Sequence, residues 1–227
     1  MNKIVSYRVE ENLATLTIDD GKANAVSLQF VEEVNAALDQ AEQDKAVTIL
    51  TGRPGKFSAG FDLSALSKGG EAATQLVRTG ALLCARSLGF PTPVIIACNG
   101  HSLALGALLL LSADYRVGTE GNYKIGTNEV AIGMPLPYFG VELARLRLSP
   151  IHFSRAVANA EIYTPQGAVE AGFLDVVVSE ERLMETAMQS ARGLAKLDMA
   201  AHYATKLRVR EKALSTIHEA IEKEYGV

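Results

Sequence analysis

Two short runs of apolar, largely β-branched residues constrain this chain more than anything else in it. They are Ala46 to Thr51 (Ala-Val-Thr-Ile-Leu-Thr) and Pro93 to Cys98 (Pro-Val-Ile-Ile-Ala-Cys). Neither alternates with polar residues, so each reads as a strand covered on both faces. Between them Ala72 to Leu88 has the spacing of an amphipathic helix, stopped by Gly89 and Pro91. Before them Leu28, Val31, Val34, Leu38 and Ala41 recur at helical spacing, with Ser27 as N-cap. Ahead of that helix, Ile4 to Arg8 and Leu13 to Ile18 alternate around Glu10-Glu11-Asn12, a hairpin pattern. Strands separated by helices at this spacing predict βαβ crossovers, an α/β chain and a largely parallel sheet.

After Asn99-Gly100 the segment Leu103 to Leu111 reads as a buried apolar helix. Short strands are predicted near Tyr115 to Gly118 and Tyr123 to Ile125, then a Gly/Pro-rich loop from Asn128 to Gly140. The rest reads as helices over Val141 to Leu146, Pro150 to Asn159, Pro165 to Ala171, Glu180 to Ala195 and Met199 to Glu224. Leu174 to Val178 is a short strand among them. The shift near Pro150 divides the chain into an α/β part, residues 1–150, and a helical C-terminal region, residues 151–227. Along the last helix run Leu207, Ala213, Leu214, Ile217 and Ile221, a stripe expected to pack on a neighbouring chain.

The 227 residues carry 22 Lys+Arg against 26 Asp+Glu, a formal charge of −4, which lacks the bulk electrostatics of a non-specific nucleic-acid binder. The N-terminus has no apolar stretch of the secretion-signal kind. Leu103 to Leu111 falls far short of the roughly 20 residues that cross a bilayer. Cys84 and Cys98 have no metal-ligand spacing and read as small core residues. The expectation is a cytoplasmic protein with neither a membrane nor a nucleic acid as partner.

Three segments carry chemistry. Lys56-Phe57-Ser58-Ala59-Gly60-Phe61-Asp62-Leu63 follows a strand and turn, and its small residues let a ligand approach backbone N–H groups. Alone, it is more simply read as a tight turn that needs small residues for steric reasons. Asn99-Gly100-His101-Ser102-Leu103-Ala104-Leu105-Gly106-Ala107-Leu108 runs from a strand into a helix N-terminus, whose free donors suit a developing oxyanion. Within it Gly100 to Ala104 approximates the nucleophile elbow of serine hydrolases, with Asp175 and then His202 or His218 as triad partners in the required order. Against this, both histidines fall in the terminal helix, and Ala104 replaces the final glycine. In the third segment, Ile125 to Pro135, Glu129 sits among apolar neighbours, where desolvation raises a carboxyl pKa and makes it a better base and acid. Locally, a helix cap or a surface glutamate fits as well.

Taken together and in order, these segments resemble the crotonase superfamily, the enoyl-CoA hydratase/isomerase family. Asp20-Gly21-Lys22-Ala23-Asn24-Ala25 is similar to its nucleotide-contacting stretch, and Phe57 to Leu63 to its F-[SA]-A-G-x-D-[LI] segment. Asn99 to Gly106 is similar to its second oxyanion segment, and Ala168 to Val177 to its helix–strand junction. The resemblance implies a crotonase-like ββα superhelix with a helical C-terminal region, an acyl-CoA thioester as substrate, and neither metal nor redox cofactor. It further implies a homotrimer or dimer of trimers. By the resemblance, the N–H groups of Ala59 and Leu105 hold the thioester oxygen. Lys22, Ala23, Ala59, Gly60, Phe61, Asp62, Leu108 and Met134 line the substrate. Leu105 stands where the family generally has glycine, a side chain expected to narrow the pocket. Leu108 stands where hydratases carry one of two glutamates, so only Glu129 is kept. Gly126 to Gly133 reproduces the G-x-N-E-x-x-x-G context of Δ3-Δ2-enoyl-CoA isomerases. The implied activity is that isomerisation. A hydratase, with Glu142 as a second group, a thioester hydrolase and a non-catalytic acyl-CoA binder are the alternatives. Tyr138 and Phe139 either line the acyl tunnel or pack, and His101 supports a turn.

Overall fold

In a computed structural model describing residues 2–226, the chain opens with the antiparallel hairpin β1 (Val5–Glu10) and β2 (Leu13–Ile18). Helix α1 (Leu28–Gln43) follows, and the Ser27 hydroxyl accepts from the Phe30 N–H at 3.2 Å, as its N-cap role requires. Next come β3 (Val47–Thr51), β4 (Gly55–Ser58), the single turn α2 (Leu63–Leu66), α3 (Gly70–Leu88) and β5 (Val94–Cys98). Every residue of β3 and β5 is buried, and the two pair in parallel. Beyond them lie β6 (Gly100–Leu103), α4 (Leu105–Ser112), β7 (Tyr115–Thr119), β8 (Ile125–Gly126) and α5 (Tyr138–Arg147). The chain ends with α6 (Pro150–Val157), α7 (Pro165–Ala171), β9 (Val176–Val178), α8 (Glu180–Leu194) and α9 (Met199–Tyr225).

The main sheet has the order β1-β2-β3-β5-β7-β9 and is parallel except at the hairpin. A second sheet, β4-β6-β8, is parallel throughout. The helix expected from Leu103 begins only at Leu105, because Gly100 to Leu103 is a strand of this second sheet. His101 accordingly lies in a strand, where its Nδ1 accepts from the Lys124 N–H at 3.0 Å. The strand expected at Tyr123 to Ile125 is Ile125–Gly126.

The Asn99 amide ties the sheet ends together. Its Nδ2 donates to the Gly52 carbonyl at 2.7 Å, and its Oδ1 accepts from the Gly52 N–H at 3.2 Å. Asn24 does the same between the hairpin and β4, its Nδ2 donating to Ile18 O at 2.9 Å and Phe57 O at 3.1 Å. Both are local sites of high polar satisfaction inside an apolar frame.

Helix α9 packs on α3 and α5 of its own chain, burying Ile217 and Ile221. The chain itself thus covers the Ile217–Ile221 end of the stripe, while Leu207, Ala213 and Leu214 stay half-buried. Its other anchor is ionic. Asp114, at the mouth of β7, takes Lys206 Nζ on one oxygen and Arg210 Nη2 on the other, each at 2.8 Å, with all three side chains nearly inaccessible. Removing the carboxylate leaves two buried cations, a change that costs about 3–5 kcal/mol. Asp114→Ala is expected to lower the unfolding free energy by that amount in a denaturant titration. A loss below about 1 kcal/mol would mean that the helix is held by its apolar contacts alone. Among the described residues no helix is long and apolar enough to cross a membrane.

Candidate active site

The second sheet builds the site. Since β4, β6 and β8 are adjacent and parallel, the segments that leave their carboxyl ends emerge on one side, the usual place for ligands in parallel sheets. Ala59-Gly60-Phe61 leaves β4, Ala104-Leu105 leaves β6, and Thr127-Asn128-Glu129 leaves β8. The first two touch. A Cβ on Gly60, whose φ is +84°, would stand 2.5 Å from Ala104 Cβ and 3.2 Å from Leu105 N. Only glycine permits that approach.

Of the two N–H groups expected to face a thioester oxygen, one has an acceptor within the chain. The Ala59 N–H donates to the Ala23 carbonyl at 3.1 Å, so it is already engaged. Val26 makes a parallel bridge to Phe61: its N–H donates to Gly60 O at 2.8 Å and its carbonyl accepts from the Asp62 N–H at 3.0 Å. A strand residue bracketed in this way points its own N–H to the opposite side. The Phe61 N–H consequently has no acceptor among the described residues. Leu105 opens α4, and its N–H is one of the orphan donors of a helix N-terminus, likewise without an acceptor among the described residues. Ala104 before it has φ 50° and ψ −125°, a strained backbone for any residue with a side chain. The Leu105 side chain is fully buried in the core.

Glu129 is 7% exposed, and its Oε2 has no hydrogen-bond partner among the described residues. Burial pushes its pKa up from 4.5 to about 7. The turn that presents it is well tied. The Glu129 carbonyl accepts from Ile132 and Met134 N–H groups at 3.1 and 3.0 Å, and Thr127 Oγ1 donates to the Ala156 carbonyl at 2.9 Å. Asn128 Oδ1, next to it, is also buried and unpartnered among the described residues, a feature that sequence reasoning passed over. Leu108 is buried in α4, where α5 closes on it: a Cβ on Gly140 would stand 3.0 Å from Leu108 Cδ1. Met134 is half-buried.

The remaining candidates sort by their partners. Lys22 is exposed and Ala23 half-buried, at the loop that supplies the acceptor for Ala59. The Asp62 carboxylate caps α2, accepting from the Ser64 N–H at 2.9 Å and hydroxyl at 2.7 Å. Those Ser64 bonds hold it below the usual carboxylate range. Glu142 pairs with Arg145 at 3.4 Å and faces a cavity of about 280 Å³ shared with Lys212 and Ala213 of α9. Phe139 packs in the core, while Tyr138 is exposed and donates its N–H to Glu224. The hydrolase triad is not assembled. Arg116 holds Asp175 through bonds of 2.8 and 2.6 Å, and among the described residues no histidine bonds to it or to the buried Ser102.

The family model for enoyl-CoA hydratase/isomerase matches residues 8–227. The chain belongs to the enoyl-CoA hydratase/isomerase family. Its fold is that of the family's solved structures. It is 50% identical to an enoyl-CoA hydratase/isomerase family protein from Pseudomonas syringae, at a TM-score of 0.97, with 98% of this chain and 96% of that one covered. In sequence it is 30% identical to the 2,3-dehydroadipyl-CoA hydratase of Escherichia coli over 201 residues, covering 88% of this chain and 77% of that protein. It is 28% identical to the human mitochondrial enoyl-CoA delta isomerase 1 over 211 residues, covering 90% and 70%. The family thus includes relatives named for both reactions, and the enzyme class alone does not divide them.

Proposed function

We propose that this enzyme moves a double bond in an enoyl-CoA thioester, from the 3 to the 2 position, with Glu129 as its single proton carrier. The observation that carries the reading is one desolvated, unpartnered carboxylate at Glu129, combined with an aliphatic residue, Leu108, where the resemblance places a hydratase's second glutamate. The Glu129 carboxylate takes a proton from C2 of the 3-enoyl thioester. The electron pair passes through the carbonyl to its oxygen, held by the Phe61 and Leu105 N–H groups. The enolate then collapses, C2=C3 forms as C3=C4 breaks, and Glu129 returns its proton at C4. A carboxyl group whose pKa lies near 7 suits both halves of this exchange, because it is neither too weak a base nor too weak an acid. Two preorganised backbone donors supply the electrostatic part, about 3–4 kcal/mol each in comparable sites. Apolar Leu108 and Met134 exclude the water that a hydratase would activate. In this reading Lys22 and Ala23 flank the CoA nucleotide, and Ala59 to Asp62 lie close to its adenine and pantetheine.

Two substrates test it. A 3-enoyl-CoA is expected to gain the absorbance of a conjugated thioester, and a 2-enoyl-CoA to keep its own. Rapid loss of absorbance from the second substrate would show water addition and decide for the hydratase reading instead.

A further inference from the structure

We infer that Gly80, in the middle of α3, is a positioning residue for the Phe61 and Leu105 donors. The inference rests on the reading that these two N–H groups hold the thioester oxygen. Glycine is among the least favourable residues in a helix interior, and Gly80 does not have the positive φ that would call for one. Space is the reason. A Cβ on Gly80 would stand 2.6 Å from Phe61 Cε1, 2.8 Å from Phe61 Cζ and 2.8 Å from Leu105 Cδ2. The ring of one donor residue and the side chain of the other thus meet over one residue of α3.

The two residues are gripped from opposite sides. Val26 brackets Phe61 through the hydrogen bonds of Gly60 and Asp62, and the strained Ala104 turn sets Leu105. On the helix side, both share the seat over Gly80. A methyl there meets side-chain tips and no backbone among its three nearest neighbours, so the fold can absorb it by moving the tips. That displacement rocks the two residues whose N–H groups must converge on one atom. Small errors of position are costly in such a pair, up to about a hundredfold per ångström.

Carbonyl polarisation reads the donors directly, whichever reaction follows. Hexanoyl-CoA labelled with carbon-13 at the thioester carbonyl is the probe, and its stretching band is measured by infrared difference spectroscopy. In the wild-type protein the bound band moves to lower frequency. In Gly80→Ala it is expected to move distinctly less, with kcat on a 3-enoyl-CoA down about tenfold, KM within about twofold, and a thermal midpoint equal or higher. Gly193→Ala on α8, where a Cβ meets nothing within 4 Å, is expected to keep the full band shift and kcat. If Gly80→Ala also keeps both, or raises KM alone, the inference is overturned while the oxyanion reading stands. If the wild-type protein shows no band shift, both fall. Should Gly80→Ala not fold, Gly80→Ala/Phe61→Leu/Leu105→Val removes all three atoms that the methyl would meet and is read in its place. A return towards the wild-type shift supports the positioning role, and a folded triple variant with the shift still reduced overturns it.

Discussion

Replacing Glu129 by glutamine is expected to lower kcat by about a hundredfold to ten-thousandfold, the range for loss of a positioned acid–base group. Acyl-CoA binding, measured by calorimetry, should stay within a few-fold of the wild type, because the amide keeps the shape and loses only the basicity. The pH profile carries the same signature. The free enzyme needs Glu129 ionised, so kcat/KM should rise with pH to a plateau above about 7. Stability moves in the opposite sense. The folded-state pKa lies above the unfolded value of 4.5, so between 4.5 and about 7 the native state binds more protons than the unfolded one. Stability is then lost as pH rises through that window, by about 3 kcal/mol in all. Glu129→Gln lacks this loss and should be the more stable protein at pH 8, with the gap closing at pH 5. A variant that keeps more than a tenth of wild-type turnover would remove Glu129 from the chemistry. Equal stabilities at pH 8 would contradict its desolvation.

The largest effect on folding is expected at Gly100. A Cβ there would overlap the carbonyl carbon and oxygen of Gly55 and the nitrogen of Lys56, all of them backbone atoms of β4 or of its first peptide link. Gly55 and Gly100 are register partners, so no side chain can move aside to make room. Gly100→Ala must separate β4 from β6, and with them the two segments that bear Phe61 and Leu105. The cost is expected to exceed about 4 kcal/mol, in the exceptional range for one substitution. The variant should unfold at a markedly lower denaturant concentration, or accumulate as insoluble protein. A midpoint within a few degrees of the wild type would mean that the second sheet yields more readily than its register implies.

Sequence alone determined the elements that local periodicity can specify. The runs at Val47 to Thr51 and Val94 to Cys98, the stripe from Leu28 to Ala41, and the caps at Ser27 and Gly89 all depend on residues within a few positions of one another. Such patterns survive without knowledge of the fold. Of the second sheet only β8 was legible, displaced by two residues at its start; β4 and β6 were not, because they are four residues long and open on glycine, which shows neither alternation nor bulk. The ordered segments around Ala59, Gly106, Glu129 and Gly172 carried the family resemblance, and with it the neighbourhood of the site. Which N–H in Ala59-Gly60-Phe61 stays free was beyond them, since it depends on bonds from Ala23 and Val26, more than thirty positions away. Burial of Glu129 and the seat of two donors over Gly80 are likewise products of packing between distant segments. The stripe on α9 had a real apolar period, but a period says only that a face must be covered. Tertiary structure decided which part of it α3 and α5 of the same chain cover: Ile217 and Ile221 are buried, while Leu207, Ala213 and Leu214 keep an open side.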